Sequence, residues 1–331
     1  MKLQQRIELL EKLGFFLSEN SIETEAVKQQ AFIENSWFIP AFIDLQLKNI
    51  CSAFLHREKL QQWASHYHLD DNVSRNNVGV VMAGNIPLVG FHDFVSVFIS
   101  GHKQTIKLSS KDSVLMKYIV EKMTGWDPRV KDHITFAELL KDCDAYIATG
   151  SNNSARYFEY YFSKYPSVIR RNRTSVAVLD GNETAAELDQ LADDVHLYFG
   201  LGCRNVTKLY VPSSYDFVPL LKVFEKYLYF SDHNKYRNNF DYYLSLQMMS
   251  SRFYMTNNSI VLREETSVFS PISVLNYGFY DNEESLMMQL EMDENLQCIM
   301  GHKGLPFGRS QCPQLMDYAD GVDTMQFLLS L

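Results

Sequence analysis

No stretch of this 331-residue chain contains the roughly 20 consecutive apolar residues that a membrane-crossing helix needs. Nor does Met1 to Leu13 carry the uninterrupted apolar core of a signal peptide; it alternates charged and apolar residues at helical spacing, so a cytoplasmic location is the expectation. Cysteine is scarce. The five present form an odd count with no C-x-x-C pair, which excludes a disulfide framework and predicts free thiols in a reducing compartment. An excess of basic residues is also missing: 31 Lys and Arg face 40 Asp and Glu, and a net charge of -9 excludes broad nucleic-acid binding. Any anionic ligand must be drawn by local patches. Lys103, Lys107 and Lys111 form one such run and Lys164, Arg170, Arg171 and Arg173 another, each equally readable as solvated surface. There is no internal repeat, low-complexity segment or Pro/Gly-rich linker. His66, His68, Asp70 and Asp71 look ligand-like, but no closed set of four ligands accompanies them and no metal is expected.

What is present suffices for a large core. At 46% hydrophobic and 21% charged residues, the length predicts two domains of ordinary size. Residues 1–75 read as a helical N-terminal cap, with apolar residues at helical spacing through Leu9, Leu10 and Leu13 and again from Ile43 to Trp63. The period then changes. Short apolar strands near 78–82, 104–108, 134–137, 145–148 and 174–179 alternate with helices near 88–100, 112–123, 152–162 and 183–198, which predicts a parallel sheet with right-handed crossovers. A second α/β unit follows, with strands near 208–211, 260–262 and 272–276. The division expected is a dinucleotide-binding lobe over 76–202, a catalytic thiol lobe over 203–300, and a segment 301–331 returning to the first lobe. A cleft shared by two lobes is a favoured ligand site.

The chemistry is concentrated in a few turns. Gly200-Leu201-Gly202-Cys203-Arg204 puts one thiol in a small-residue loop between a helix and a strand, where a nucleophile is presented. Arg204 and Lys208 are near enough in sequence to favour a thiolate. Cys51, Cys143, Cys298 and Cys312 read as small hydrophobes. Gly84-Asn85-Ile86-Pro87 is a strand-to-helix turn whose Asn amide can donate to an oxyanion or simply shape the turn. Thr105 to Asp112 ends a strand with Lys107, Ser109, Ser110 and Lys111, and Thr149-Gly150-Ser151 ends another before a helix start; both are places where phosphate and ribose are held, and the second is also an ordinary N-cap. His92-Asp93 opens a helix and reads as a cap. The pair Gly200 and Gly202 has no third glycine in register and precedes a strand, so it is not a dinucleotide fingerprint.

Taken in order, Gly84-Asn85-Ile86-Pro87, Ile106-Lys107-Leu108-Ser109, Thr149-Gly150-Ser151, Gly200 to Arg204, Phe269-Ser270-Pro271 and Leu305-Pro306-Phe307-Gly308 resemble the motif series of the aldehyde dehydrogenase superfamily. The likeness is greatest to its LuxC-type acyl-CoA reductase branch and covers roughly residues 78–327. The resemblance implies an α/β fold of that type, with a Rossmann-like cofactor lobe and a second α/β catalytic lobe. It implies Cys203 as the acyl-accepting thiol and Asn85 with the Cys203 backbone N–H as the oxyanion hole. Lys107, Ser109, Ser110, Gly150 and Ser151 would lie around the dinucleotide, and Phe269 against the nicotinamide.

Departures from the superfamily pattern carry consequences. Hydrolytic members place a water-activating glutamate about where Ile169 falls, and between Glu159 and Asp180 this chain has no Asp or Glu at all. A thioester on Cys203 should then persist until hydride or another thiol reaches it. Ser110 stands where NAD-preferring members often hold the ribose with a glutamate, and a neutral residue between Lys107 and Lys111 favours NADPH. The glutamate before the Phe-x-Pro motif is Ser267 here; Glu264 or Glu265 could replace it only through a reshaped loop. The expectation is NADPH-dependent reduction of a long-chain acyl-CoA to the aldehyde through acyl-Cys203. The alternatives are a thiol-dependent acyltransferase and a non-catalytic acyl-CoA or dinucleotide-binding protein. A homo-oligomer or an acyl-donor protein remains open as a partner.

Overall fold

Polar caps and apolar spacing set the first helices in the computed structural model, which describes every residue except 20 and 72–74. Helices α1 (Leu3–Ser18), α2 (Ile22–Glu34), α3 (Pro40–Phe54) and α4 (Arg57–His66) occupy the N-terminal stretch. Ser21 caps α2 by accepting the Thr24 N–H, and Pro40 starts α3 where its missing N–H has no intrahelical partner to lose. Then come β1 (Asn77–Val81), α5 (Phe91–Ser100), β2 (Lys103–Lys107), α6 (Val114–Trp126), β3 (Ile134–Phe136), β4 (Ala145–Thr149), α7 (Asn152–Phe162) and β5 (Ser167–Arg170). The chain continues through β6 (Thr174–Val178), α8 (Ala185–His196), β7 (Val206–Pro212), α9 (Val218–Val223), α10 (Asn234–Ser250), β8 (Tyr254–Thr256), β9 (Val261–Glu264), β10 (Val274–Tyr280), α11 (Glu283–Glu291), β11 (Leu296–Met300) and α12 (Thr324–Leu329). No helix among the described residues is long and apolar enough to cross a membrane.

Residues 1–172 together with 312–331 make one unit and residues 173–311 a second. In the first, five strands lie in the order β3-β2-β1-β4-β5, all parallel. The chain runs outward from β1 to β3 and then returns to the other side of β1, so the winding reverses between β1 and β4. Carboxyl ends at such a reversal form the ligand crevice of open α/β sheets. The N-terminal helices share one core with this sheet: Leu10, Leu13, Ile43 and Ile50 belong to the same buried cluster as Phe94, Phe98, Val80 and Ile119. Residues 312–331 are stitched into it. Trp63 Nε1 donates to Tyr318 at 2.9 Å, Tyr67 donates to Asp323 at 2.5 Å, and Asn76 Nδ2 donates to the Leu331 carbonyl at 2.9 Å.

In the second unit six strands lie in the order β11-β6-β7-β10-β9-β8, parallel except for the β8–β9 pair. The strand from Thr174 therefore pairs directly with the strand that follows Cys203. Helix α8 begins with a capping box between Thr184 and Glu187, as its sequence dictates.

Several expectations are corrected here. The helix after β1 starts at Phe91, not Leu88, because Leu88 has φ +53° and gives its N–H to Asp112 Oδ2 at 2.7 Å. His92 and Asp93 are not caps. The His92 ring stacks on Phe54 and Tyr318, its Nε2 lies 3.1 Å from the Leu315 carbonyl, and Asp93 forms a buried ion pair with Arg170. That pair removes Arg170 from any surface patch. Arg171 pairs with Glu159 and Arg173 donates to the Leu296 carbonyl, so the second basic run is dispersed into three separate contacts. The first run is dispersed as well: Lys103 and Lys107 occupy opposite ends of β2, which leaves only Lys107 and Lys111 at its carboxyl end. His66 closes α4, and Asp71 accepts the Leu3 N–H at 2.6 Å.

Candidate active site

The first unit gathers its candidate residues at one edge of its sheet. The register pairs Val81 with Lys107 on one side and with Ala148 on the other, so the loops carrying Asn85, Ser109 and Gly150 leave neighbouring strand ends. Gly84 is required by closeness: a Cβ there would stand 2.6 Å from Ser109 Oγ and 2.7 Å from Ser109 Cβ. Ser109 Oγ accepts the Lys111 N–H, and its carbonyl accepts the Asp112 N–H at 3.1 Å. Asp112 then fastens the other loop through Leu88. Burial pushes the Asp112 carboxyl up to about 7. Lys107 is half-buried, whereas Ser110 and Lys111 are exposed beside it. Asn85 is half-buried at the tip of its turn.

Gly150 has no room for a side chain either, since a Cβ would meet Ser154 Cβ at 2.9 Å and Phe158 Cε2 at 3.0 Å. Ser151 is the N-cap of α7; its Oγ accepts the Ser154 N–H at 3.3 Å. A backbone free of Cβ at the switch point, a helix N-terminus and a lysine at the adjacent strand end make a cradle whose chemistry fits a dinucleotide pyrophosphate. Ile169 lies on β5 paired with Ala148, and its apolar side chain offers no base.

In the second unit the thiol loop is a built object. After α8, Tyr198, Phe199 and Gly200 adopt three successive left-handed conformations, with φ of 55°, 56° and 73°. For the two aromatics this costs roughly 1–3 kcal/mol each. Packing enforces it: Phe199 is buried against Phe230, His233 and Tyr236. The chain then reverses through Gly202, whose N–H donates to Asn205 Oδ1 at 2.8 Å. Asn205 Nδ2 donates to the carbonyls of Asp194 and Leu197 at 3.1 and 2.8 Å, so one fully buried amide joins the end of α8 to the loop. Cys203 is half-buried, and its carbonyl accepts the Ser175 hydroxyl at 3.1 Å.

The Phe269 loop is tied to the same end of β7. Thr207 Oγ1 donates to the Val268 carbonyl at 2.6 Å, and Asn276 Nδ2 donates to the carbonyls of Ser267 and Phe269 at 3.1 and 3.0 Å. Ser267 is exposed in the loop before Phe269. Its hydroxyl closes the turn, accepting the Phe269 N–H and donating to the Phe269 carbonyl. Glu265 is turned back onto Thr266. Lys208, expected to assist the thiol, instead donates to the Thr266 carbonyl at 2.8 Å and lies over the Tyr210 ring, and burial lowers its pKa. Arg204 donates to Cys298 Sγ at 3.2 Å. The Leu305 to Gly308 motif is held by Asp194, which accepts the Gly308 N–H at 2.6 Å; burial raises that carboxyl to about 6. The structure thus joins Asn85, Lys107, Ser109 and Gly150 in one unit, and the Cys203 and Phe269 loops in the other. Sequence reasoning missed Asn205, Thr207, Ser175 and Asp112, whose only signal was a polar residue three or four positions from a turn.

Comparison with solved structures defines the class. The fold is that of the aldehyde dehydrogenases. An aldehyde dehydrogenase from Bacillus cereus superposes with a TM-score of 0.66 at 12% identity, over 91% of this chain and 72% of that one. The P. syringae AldA indole-3-acetaldehyde dehydrogenase, solved in complex with NAD+ and IAA, gives 0.63 at 12%, over 87% and 69%. Aldehyde dehydrogenase 21 from Physcomitrella patens, in complex with the reaction product succinate, gives 0.63 at 11%, over 92% and 74%. No curated protein matches in sequence. The family model described as acyl-CoA reductase (LuxC) matches residues 47–219, more than half of the chain. The chain belongs to the LuxC family of acyl-CoA reductases, and is an oxidoreductase of acyl and aldehyde groups.

Proposed function

We propose that the chain reduces a long-chain acyl-CoA to the aldehyde, with Cys203 as the nucleophile and NADPH as the reductant. The observation that carries the reading is the thiol loop itself, held by Asn205 after three left-handed residues, in a member of an acyl-CoA reductase family. Cys203 sulfur attacks the thioester carbonyl, the bond from that carbon to the coenzyme A sulfur breaks, and the acyl group stays on Cys203 as coenzyme A leaves with a proton. The Asn85 amide and the Cys203 N–H donate to the oxygen that becomes negative. What the nicotinamide dinucleotide supplies when bound is the hydride that, with one proton, releases the acyl group from Cys203 as an aldehyde. Lys107, Ser109, Gly150 and Ser151 would hold its phosphates and ribose, with Phe269 against the ring. Ser110, exposed and neutral between two lysines, supports a 2′-phosphate there.

The lack of any Asp or Glu between Glu159 and Asp180 supports reduction over hydrolysis, because nothing in that segment activates water. Mass spectrometry of the protein mixed with a long-chain acyl-CoA should show an acyl adduct on Cys203 that disappears when NADPH is added. An unmodified Cys203 would overturn the reading. An adduct cleared by an acceptor thiol but untouched by NADPH would establish acyl transfer instead.

A further inference from the structure

A second thiol stands against the Cys203 loop. Cys298 lies on β11 where the register with β6 slips: Leu296 is opposite Thr174 and Cys298 opposite Ser175, so Gln297 is the extra residue of a bulge. Bulges re-aim the side chains that follow them. Here the Cys298 sulfur meets the guanidinium of Arg204, the residue next to Cys203, at 3.2 Å. One hydroxyl links the two main chains. Ser175 Oγ donates to the Cys203 carbonyl at 3.1 Å and accepts the Cys298 N–H at 3.1 Å. Through that shared oxygen the Cys203 carbonyl oxygen and the Cys298 amide nitrogen stand at most about 6 Å apart. Both cysteines are half-buried, so neither is sealed in the core.

We infer that Cys298 is a resolving thiol for Cys203, and that the pair is a site of reversible oxidation by hydroperoxides. The inference rests on the reading of Cys203 as the reactive sulfur. Cys203 sulfur attacks one peroxide oxygen, the O–O bond breaks, and the other oxygen leaves with the thiol proton, as water from hydrogen peroxide or as an alcohol from an organic hydroperoxide, so the peroxide gains two electrons and Cys203 becomes a sulfenic acid. Cys298 sulfur then attacks the Cys203 sulfur, the S–O bond breaks, and the hydroxyl leaves as water with the Cys298 proton. The product is a Cys203–Cys298 disulfide, which cannot accept an acyl group and which a dithiol returns to two thiols. Without Cys298 this disulfide cannot form, and more peroxide carries the sulfenic acid to the sulfinic and sulfonic acids, which a dithiol does not reverse.

The test treats the full chain with hydrogen peroxide, alkylates remaining thiols under denaturing conditions, and maps the peptides. The expected product is a cross-linked pair containing Cys203 and Cys298, lost after dithiothreitol, with acyl labelling of Cys203 disappearing and returning in step. In Cys298→Ser the cross-link should be absent and most acyl labelling should fail to return. The thermal midpoint and acyl labelling of untreated Cys298→Ser report that it folds and keeps its thiol. A wild-type Cys203 that is over-oxidised, joined to another cysteine, or unoxidised overturns the inference. Acylation without peroxide is scored separately. If Cys203 acylates but does not cross-link, only this inference fails; if it cross-links but never acylates, only the reductase reading fails.

Discussion

Asn205 accepts the Gly202 N–H at 2.8 Å with the oxygen of a side chain whose nitrogen is spent on the carbonyls at the end of α8. A single amide therefore sets the path of the backbone on both sides of Cys203. Asn205→Ala leaves a buried N–H and several carbonyls unpaired, and each unpaired group costs about 1–3 kcal/mol. Denaturant unfolding should show a loss of at least about 2 kcal/mol, and acyl labelling of Cys203 should fall with it. An Ala variant with unchanged midpoint and labelling would show that the loop holds itself.

Asp112 makes the first unit sensitive to pH in a defined direction. Its carboxyl titrates near 3.8 when unfolded and about 7 when folded. Between those values the folded chain keeps a proton the unfolded chain has released, so this contribution to stability is full below pH 4 and declines as pH rises to about 7. The shift corresponds to something on the order of 4 kcal/mol. Asp112→Asn keeps an acceptor for the Leu88 N–H without the charge. It should match the parent in acid and exceed it above neutrality, with a flatter profile of unfolding free energy against pH. Equal slopes in both proteins would contradict the assignment.

Asn85→Ala tests the oxyanion role proposed for that amide. The rate of Cys203 acylation should fall by about 10² to 10³ with little change in the melting temperature, since the residue sits half-exposed on a turn. Stopped-flow acylation at saturating acyl-CoA is the measurement. A change confined to KM would assign Asn85 to binding.

Ser110→Glu places a carboxylate between Lys107 and Lys111. If that surface receives the 2′-phosphate, KM for NADPH should rise at least tenfold and KM for NADH should fall, with acylation of Cys203 unaffected. Unchanged ratios would move the ribose elsewhere.

Much of the architecture was legible because its signals are local. The change from helical spacing to short apolar strands near residue 77 marked the start of the first sheet, and Ser151-Asn152 marked the start of α7 to the residue. The candidate residues in turns were legible for the same reason: glycine, lysine and a small-residue loop around a cysteine are informative one at a time. What stayed hidden depends on partners distant in sequence. Ser167–Arg170 is only four residues long, and it becomes a strand because Tyr146 to Thr149 lies beside it. The helix over Asn234–Ser250 has little amphipathic pattern and many aromatics, so its spacing carries no helical signal. His92 and Asp93 looked like a cap because the stacked rings of Phe54 and Tyr318 and the guanidinium of Arg170 arrive from far along the chain. Lys208 pointed to the thiol in sequence, yet its ammonium finds a backbone carbonyl on the next strand's loop.

The way residues 312–331 complete the first unit has a consequence during synthesis. Tyr318, Asp323, Leu328 and Leu331 bond to Trp63, Tyr67, His102 and Asn76, partners translated more than two hundred residues earlier. While the ribosome makes residues 173–311, those early helices wait with part of their apolar face open to water. The nascent protein should depend on holding chaperones over that interval, and a version permuted to place 312–331 ahead of Met1 should fold with less of their help.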